Sequence, residues 1–160
     1  IMVCIYGMSH APALLLIDLP RYEGRGAFLV FYLVVVVVAG QIVQEVVSRR
    51  IRVRPAARAI SRSFSWRAWW AGAGAAAFVG ALLYWATPFK PIPALVMGFV
   101  AGGAGTLGEF VIHALKRDAG IRRWSGKASV TGAVGLLGRV APLCFAAPVF
   151  FHSVRWYFGW

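Results

Sequence analysis

The stretch that decides the fold is Ala27-Phe28-Leu29-Val30-Phe31-Tyr32-Leu33-Val34-Val35-Val36-Val37-Val38-Ala39-Gly40-Gln41-Ile42-Val43-Gln44-Glu45-Val46-Val47. A helix needs about 20 predominantly apolar residues to cross a bilayer, and this run supplies them. Its valine content suggests a strand at first sight. A β-strand crosses in about ten residues, however, and spans lipid only as part of a closed barrel, so the run reads as a helix.

The rest of the chain repeats the pattern. Met2 to Ile17 is apolar, interrupted by Ser9-His10-Ala11-Pro12, and a polar loop follows from Asp18 to Gly26. A third helix is expected from about Trp69 to Trp85, rich in small residues (Ala71-Gly72-Ala73-Gly74-Ala75-Ala76-Ala77). Thr87-Pro88-Phe89-Lys90-Pro91-Ile92-Pro93 reads as a stiff proline turn. A fourth helix is expected from about Ala94 to Leu115 and a fifth from about Val140 to Tyr157. The fold class is therefore an all-α, polytopic integral membrane protein with about five transmembrane helices, forming a single membrane domain over residues 1–160.

Composition agrees. Of the 160 residues, 60% are hydrophobic and only five are acidic, too few for the charged surface of a soluble domain. The net charge of +12 does not point to nucleic acid, because the cations sit in short loops between apolar runs. Residues 48–67 carry Arg49, Arg50, Arg52, Arg54, Arg58, Arg62 and Arg67 with no acid. Residues 116–139 carry Lys116, Arg117, Arg122, Arg123, Lys127 and Arg139 against Asp118. Two spans separate these loops, so they share a side, and the positive-inside rule makes that side the cytoplasm. Trp66, Trp69 and Trp70 form an aromatic belt at the interface. Cys4 and Cys144 lie in apolar segments and read as small core residues. The chain opens at Ile1, already inside an apolar stretch and without a signal-peptide layout, so further helices are expected before it.

Ionisable groups within a span are costly and are functional hypotheses by default. Glu109 and His113 lie four apart and share a helix face. With Lys116, Arg117 and Arg139 they could line a polar pocket near the cytoplasmic leaflet; equally, one Glu–Arg pair could lock two helices. Glu45 sits near the cytoplasmic end of the second helix. There is no P-loop, HExxH or CxxC pair. Gly102-Gly103-Ala104-Gly105 follows no strand and reads as a helix-packing face.

The run Gly108-Glu109-Phe110-Val111-Ile112-His113-Ala114-Leu115-Lys116-Arg117-Asp118-Ala119-Gly120-Ile121-Arg122-Arg123 resembles the signature of phosphatidate cytidylyltransferases, or CDP-diacylglycerol synthases. That signature reads roughly G-D-x-x-x-S-x-[LIF]-K-R-x-x-G-[IV]-K-D, followed by P-G-H-G-G-[ILV]-x-D-R-x-D-S. Gly135-Leu136-Leu137-Gly138-Arg139-Val140-Ala141-Pro142 lines up with its end, and Ala147-Pro148-Val149-Phe150-Phe151-His152 resembles the family's last helix. Gly40-Gln41-Ile42-Val43-Gln44 falls where many members have N-D-x-x-Q, and Ser61 to Ala68 where they have S-P-x-K-T-W-E-G. Ser9-His10-Ala11-Pro12 and Tyr22-Glu23-Gly24-Arg25 are similar to a bacterial branch. The resemblance covers nearly the whole chain, as the C-terminal part of a longer enzyme.

The resemblance implies transfer of CMP from CTP to phosphatidic acid with release of pyrophosphate. Such chemistry needs divalent metal to neutralise the phosphates, held by carboxylates. At the positions where the resemblance places those acids, Gln41, Arg123, Gly138 and Ala141 stand instead; Phe64 replaces a loop lysine, and the histidine of P-G-H-G-G has no counterpart. Glu109 alone keeps a carboxylate, while Lys116, Arg117, Arg122 and Arg139 keep their basic character.

The expectation is a catalytically degenerate member in the bacterial inner membrane, with no catalytic metal and no cofactor. Lys116, Arg117, Arg122 and Arg139 would hold an anionic lipid headgroup without metal. Partners would be membrane lipids and other membrane subunits docking through the small-residue faces of helices three and four, with no nucleic acid. Two alternatives stay open. One is an active phosphatidate cytidylyltransferase with a rewired site, using Mg2+ with Glu109 as a ligand. The other is a transporter with Glu109 and His113 in an ion path.

Overall fold

The structure, a computed structural model, describes residues 2–17, 26–50, 65–118 and 133–159. Five α-helices account for most of these: α1 (Met2–Ala13), α2 (Gly26–Arg50), α3 (Trp66–Leu82), α4 (Pro91–Asp118) and α5 (Ala133–Phe158). Short 3-10 turns extend α1 through Leu14–Leu16 and α3 through Leu83–Ala86. Among the described residues, three helical stretches have the length and apolar character to cross a membrane: Gly26–Arg50, Trp66–Ala86 and Pro91–Ile112.

Apolar side chains face outward as well as inward. Phe31 is 54% exposed, Ile42 56%, Phe78 65% and Ile92 77%. Water would not tolerate such a surface around a bundle, whereas acyl chains would. The inner seam is built from small residues instead. Ideal Cβ atoms on Gly72 and Gly98 would lie 2.8 Å from the carbonyl oxygens of Gly40 and Ala76, so α2, α3 and α4 meet backbone to backbone. With no hydrophobic force between helices in lipid, such close van der Waals approach is the main source of association. Most of the small face expected on the third helix is consumed here: Gly72, Ala73, Ala76, Ala77 and Gly80 are buried within the chain.

The contacts also fix the directions. Trp69 lies against Gly103 near one end, and Gly80 against Ala94 and Gly98 toward the other, so α3 runs opposite to α4. Phe89, just before α4, meets Phe150, Tyr157 and Phe158 of α5, so α5 also runs opposite to α4. α1 lies along α5 in the same direction, with Gly7 against the Cys144 carbonyl and His10 against Phe151. The C-termini of α2 and α4 and the N-termini of α3 and α5 therefore share one end, called here the basic end.

Two boundaries differ from the sequence expectation. α3 begins at Trp66 rather than Trp69, because the Ser65 hydroxyl accepts the Ala68 N–H at 3.2 Å and caps the helix. α4 begins at Pro91, inside the segment expected to be a turn. A proline in the first helical turn gives up no helical hydrogen bond, and its fixed φ suits the start of a helix. α4 also runs to Asp118 and α5 starts at Ala133, so both helices extend into the segment expected as a loop over 116–139, whose residues 119–132 lie outside the described ones.

Candidate functional site

α4 carries the candidate site at its basic end. Helix register sets positions 109, 113 and 116 along one face, about two turns long. Glu109 is half-buried and already engages a neighbour. The residue before it sets how closely α5 approaches α4. A Cβ at Gly108 would lie 2.5–2.6 Å from the Phe145 side chain, so only glycine lets that ring rest on α4. One turn earlier, the Gly105 position stands 3.5 Å from the Pro142 carbonyl. The glycine of the Gly-Glu pair in the resemblance thus has a geometric reason: it seats α5 against α4.

Seven of the other expected residues fall partly or wholly outside the description. His113, Lys116 and Arg117 are on α4 and Arg139 is on α5, and of these only the backbone is described. Arg122 lies outside the described residues, as do Phe64 and Arg123. Glu45 does not join the site: it is exposed and pairs with Arg49 one turn on.

Sequence reasoning gave no role to a set of buried polar groups along the same half of the bundle. Gln44 is 8% exposed, and its Oε1 has no hydrogen-bond partner among the described residues. It lies against Gly72, whose Cβ would stand 3.6 Å from that oxygen. Trp69 donates its indole N–H to the Gly103 carbonyl at 3.2 Å. The Thr106 hydroxyl, fully buried, reaches the Gly102 and Gly103 carbonyls at 3.1 and 3.0 Å. Trp69 and Thr106 are internally satisfied; among the described residues, Gln44 Oε1 is not. The signal that could have marked Gln44 is its place as the last residue of the Gly40–Gln44 motif.

The donor set can be tested against the divalent metal that the resemblance implies. Ala141 is 3% exposed inside α5, where a carboxylate is expected. Gln41 offers an amide at another such position. Among the described residues, no group of three or more His, Cys, Asp or Glu is placed to hold a metal ion. Magnesium prefers carboxylate and phosphate oxygens, and a single half-buried glutamate does not fit it.

The fold defines the class: an all-α, multi-pass membrane protein with a half-buried acidic residue on α4. More particularly, the chain belongs to the cytidylyltransferase family, whose model matches residues 1–157. It is also similar to Uncharacterized protein YnbB of Escherichia coli (strain K12), 32% identical over 156 residues. That match covers 95% of this chain and 50% of the relative, so the chain spans about half the relative's length. No solved structure gives a significant match.

Proposed function

We propose that this chain is a catalytically degenerate cytidylyltransferase-family protein that binds an anionic phospholipid at its basic end and serves as an accessory subunit of a membrane complex. The observation that carries the reading is Ala141, a buried methyl on α5 where the resemblance calls for a metal-binding acid. Metal stabilisation of transition-state charge is worth several kcal/mol, so replacing its ligands by Gln41, Gly138 and Ala141 removes the basis of nucleotidyl transfer. Cations remain at Lys116, Arg117, Arg122 and Arg139, and arginine recognises phosphate without metal. The charge asymmetry supports placing the basic end in the cytoplasm of a bacterial inner membrane. Any partner subunit would meet the outward side of α3, where Gly74 has open space around it and Phe78 is exposed, because the inward small residues are taken.

A second reading has its own support. The chain spans half of its relative, so carboxylates from the rest of a longer protein could complete an active site that converts CTP and phosphatidic acid. One experiment separates the two. The full-length protein, in vesicles of phosphatidic acid and phosphatidylcholine, is given CTP and Mg2+, and CDP-diacylglycerol is measured. The expected result is no turnover, with phosphatidic acid retained on purification and lost in Arg139→Ala. Turnover abolished by Glu109→Ala would establish the second reading instead.

A further inference from the structure

His10 and His152 lie toward the end of the bundle opposite Glu109 and take no part in the site above. They come from α1 and α5, yet their ring centroids are 5.6 Å apart. Two features hold the rings ready. Both pack edge-on against Phe151, at 5.2 Å for His10 and 5.5 Å for His152, and His10 also meets the Tyr6 ring at 4.5 Å. In addition, His10 Nδ1 lies 2.7 Å from the Tyr6 carbonyl oxygen. A carbonyl only accepts, so Nδ1 donates its proton there and Nε2 keeps its lone pair. A backbone carbonyl gripping one ring nitrogen is the arrangement commonly found behind metal-bound histidines, where it fixes tautomer and orientation.

We propose that His10 and His152 together bind one divalent transition-metal ion, of the Zn2+, Ni2+ or Cu2+ type, bridging α1 to α5. Imidazole suits these ions, whereas Mg2+ prefers oxygen. With metal–nitrogen bonds of about 2.0–2.1 Å, two imidazoles sharing an ion have centroids roughly 5–6 Å apart, which the observed spacing matches. The pair supplies two ligands, so the remaining positions belong to water or an incoming molecule. His152 is exposed and lines a shallow cleft of about 470 Å3 with Pro148, Val149, Ser153 and Trp156, which gives that molecule access. The Arg155 guanidinium, 5.9 Å above the Phe151 ring, favours an anionic third ligand such as phosphate or carboxylate.

The test is Cu2+ electron paramagnetic resonance and Ni2+ titration on the purified full-length protein. One Cu2+ per chain should bind with nitrogen coupling from two imidazoles. His10→Gln and His152→Gln should each leave one coupled nitrogen. Loss of an outer-shell partner weakens metal binding about 10- to 100-fold, so removing an inner ligand should cost Ni2+ affinity at least about tenfold. His152 is exposed, so His152→Gln carries the test if His10→Gln disturbs folding. Unchanged binding in His152→Gln, or no saturable Ni2+ binding below about 1 mM, would overturn the proposal.

Discussion

Tyr32 is where four helices meet. It is fully buried on α2 and donates its hydroxyl proton to the Ala94 carbonyl of α4, while Gly80 of α3 packs against the same oxygen. Its ring stacks on Phe150 of α5 at 5.7 Å. The sequence shows Tyr32 only as one aromatic in an apolar run, because a hydrogen bond to a backbone carbonyl 62 residues away leaves no local mark. Gly80→Ala should therefore be among the most damaging single-methyl changes, since its Cβ meets Tyr32 Oη, the Ala94 oxygen at 3.0 Å and the Gly98 Cα at 3.1 Å. Overpacking of this kind costs about 1–3 kcal/mol, measurable as a shift in unfolding by denaturing detergent. Tyr32→Phe should cost less, about 0.6 kcal/mol, the mean for polar contacts between membrane helices. Gln44 should behave in the opposite way. A buried polar atom without a partner costs about 1–3 kcal/mol, so Gln44→Met should raise stability. If Gln44 Oε1 serves the headgroup proposed for the basic end, the same variant should retain less phosphatidic acid on purification.

At the scale of the element, run length and small-residue pattern made the helices legible, and local chemistry set their ends. Apolar runs announce α2, α3 and α4 because lipid requires about 20 residues whatever their identity. The ends depend on single contacts such as the Ser65 cap, or on proline acting as a helix starter, and a proline cluster read in isolation suggests a turn. Pattern also left open which side of α3 faces inward. Gly74 and Gly72 differ by two positions and look alike in sequence, yet a Cβ at Gly74 meets nothing within 4 Å and one at Gly72 meets the Gly40 carbonyl at 2.8 Å. Gly72→Leu should thus prevent α2 and α3 from packing, seen as loss of the folded species on size-exclusion chromatography in mild detergent. Gly74→Leu should leave the monomer unchanged. If α3 docks a partner subunit through its outward face, Gly74→Leu should instead reduce co-purification of that subunit.

Over the whole molecule, the bundle places Glu109 toward the basic end and the His10–His152 contact toward the other, and the candidate site is legible only in part. Glu109 could be singled out because a carboxylate in a span is costly, and the structure adds that the glycine before it seats α5 through Phe145. The seam also allows a decisive test of lost catalysis. Ala141 is 3% exposed, so a carboxylate there would be buried on α5. Ala141→Asp alone should destabilise the protein by about 2–5 kcal/mol, since a buried charge without a counter-ion is among the most damaging changes. In the triple variant Gln41→Asp, Gly138→Asp, Ala141→Asp, the new acids would join Glu109 in binding a divalent ion. Mg2+ should then recover much of the stability, because an ion that binds the folded state stabilises it by mass action. The measurement is thermal unfolding of both variants with and without about 10 mM Mg2+. A Mg2+-dependent gain confined to the triple variant would show that the seam still has the shape of a metal site and that only its ligands have gone. Equal behaviour of the two variants would mean that α4 and α5 no longer converge as a metal site requires.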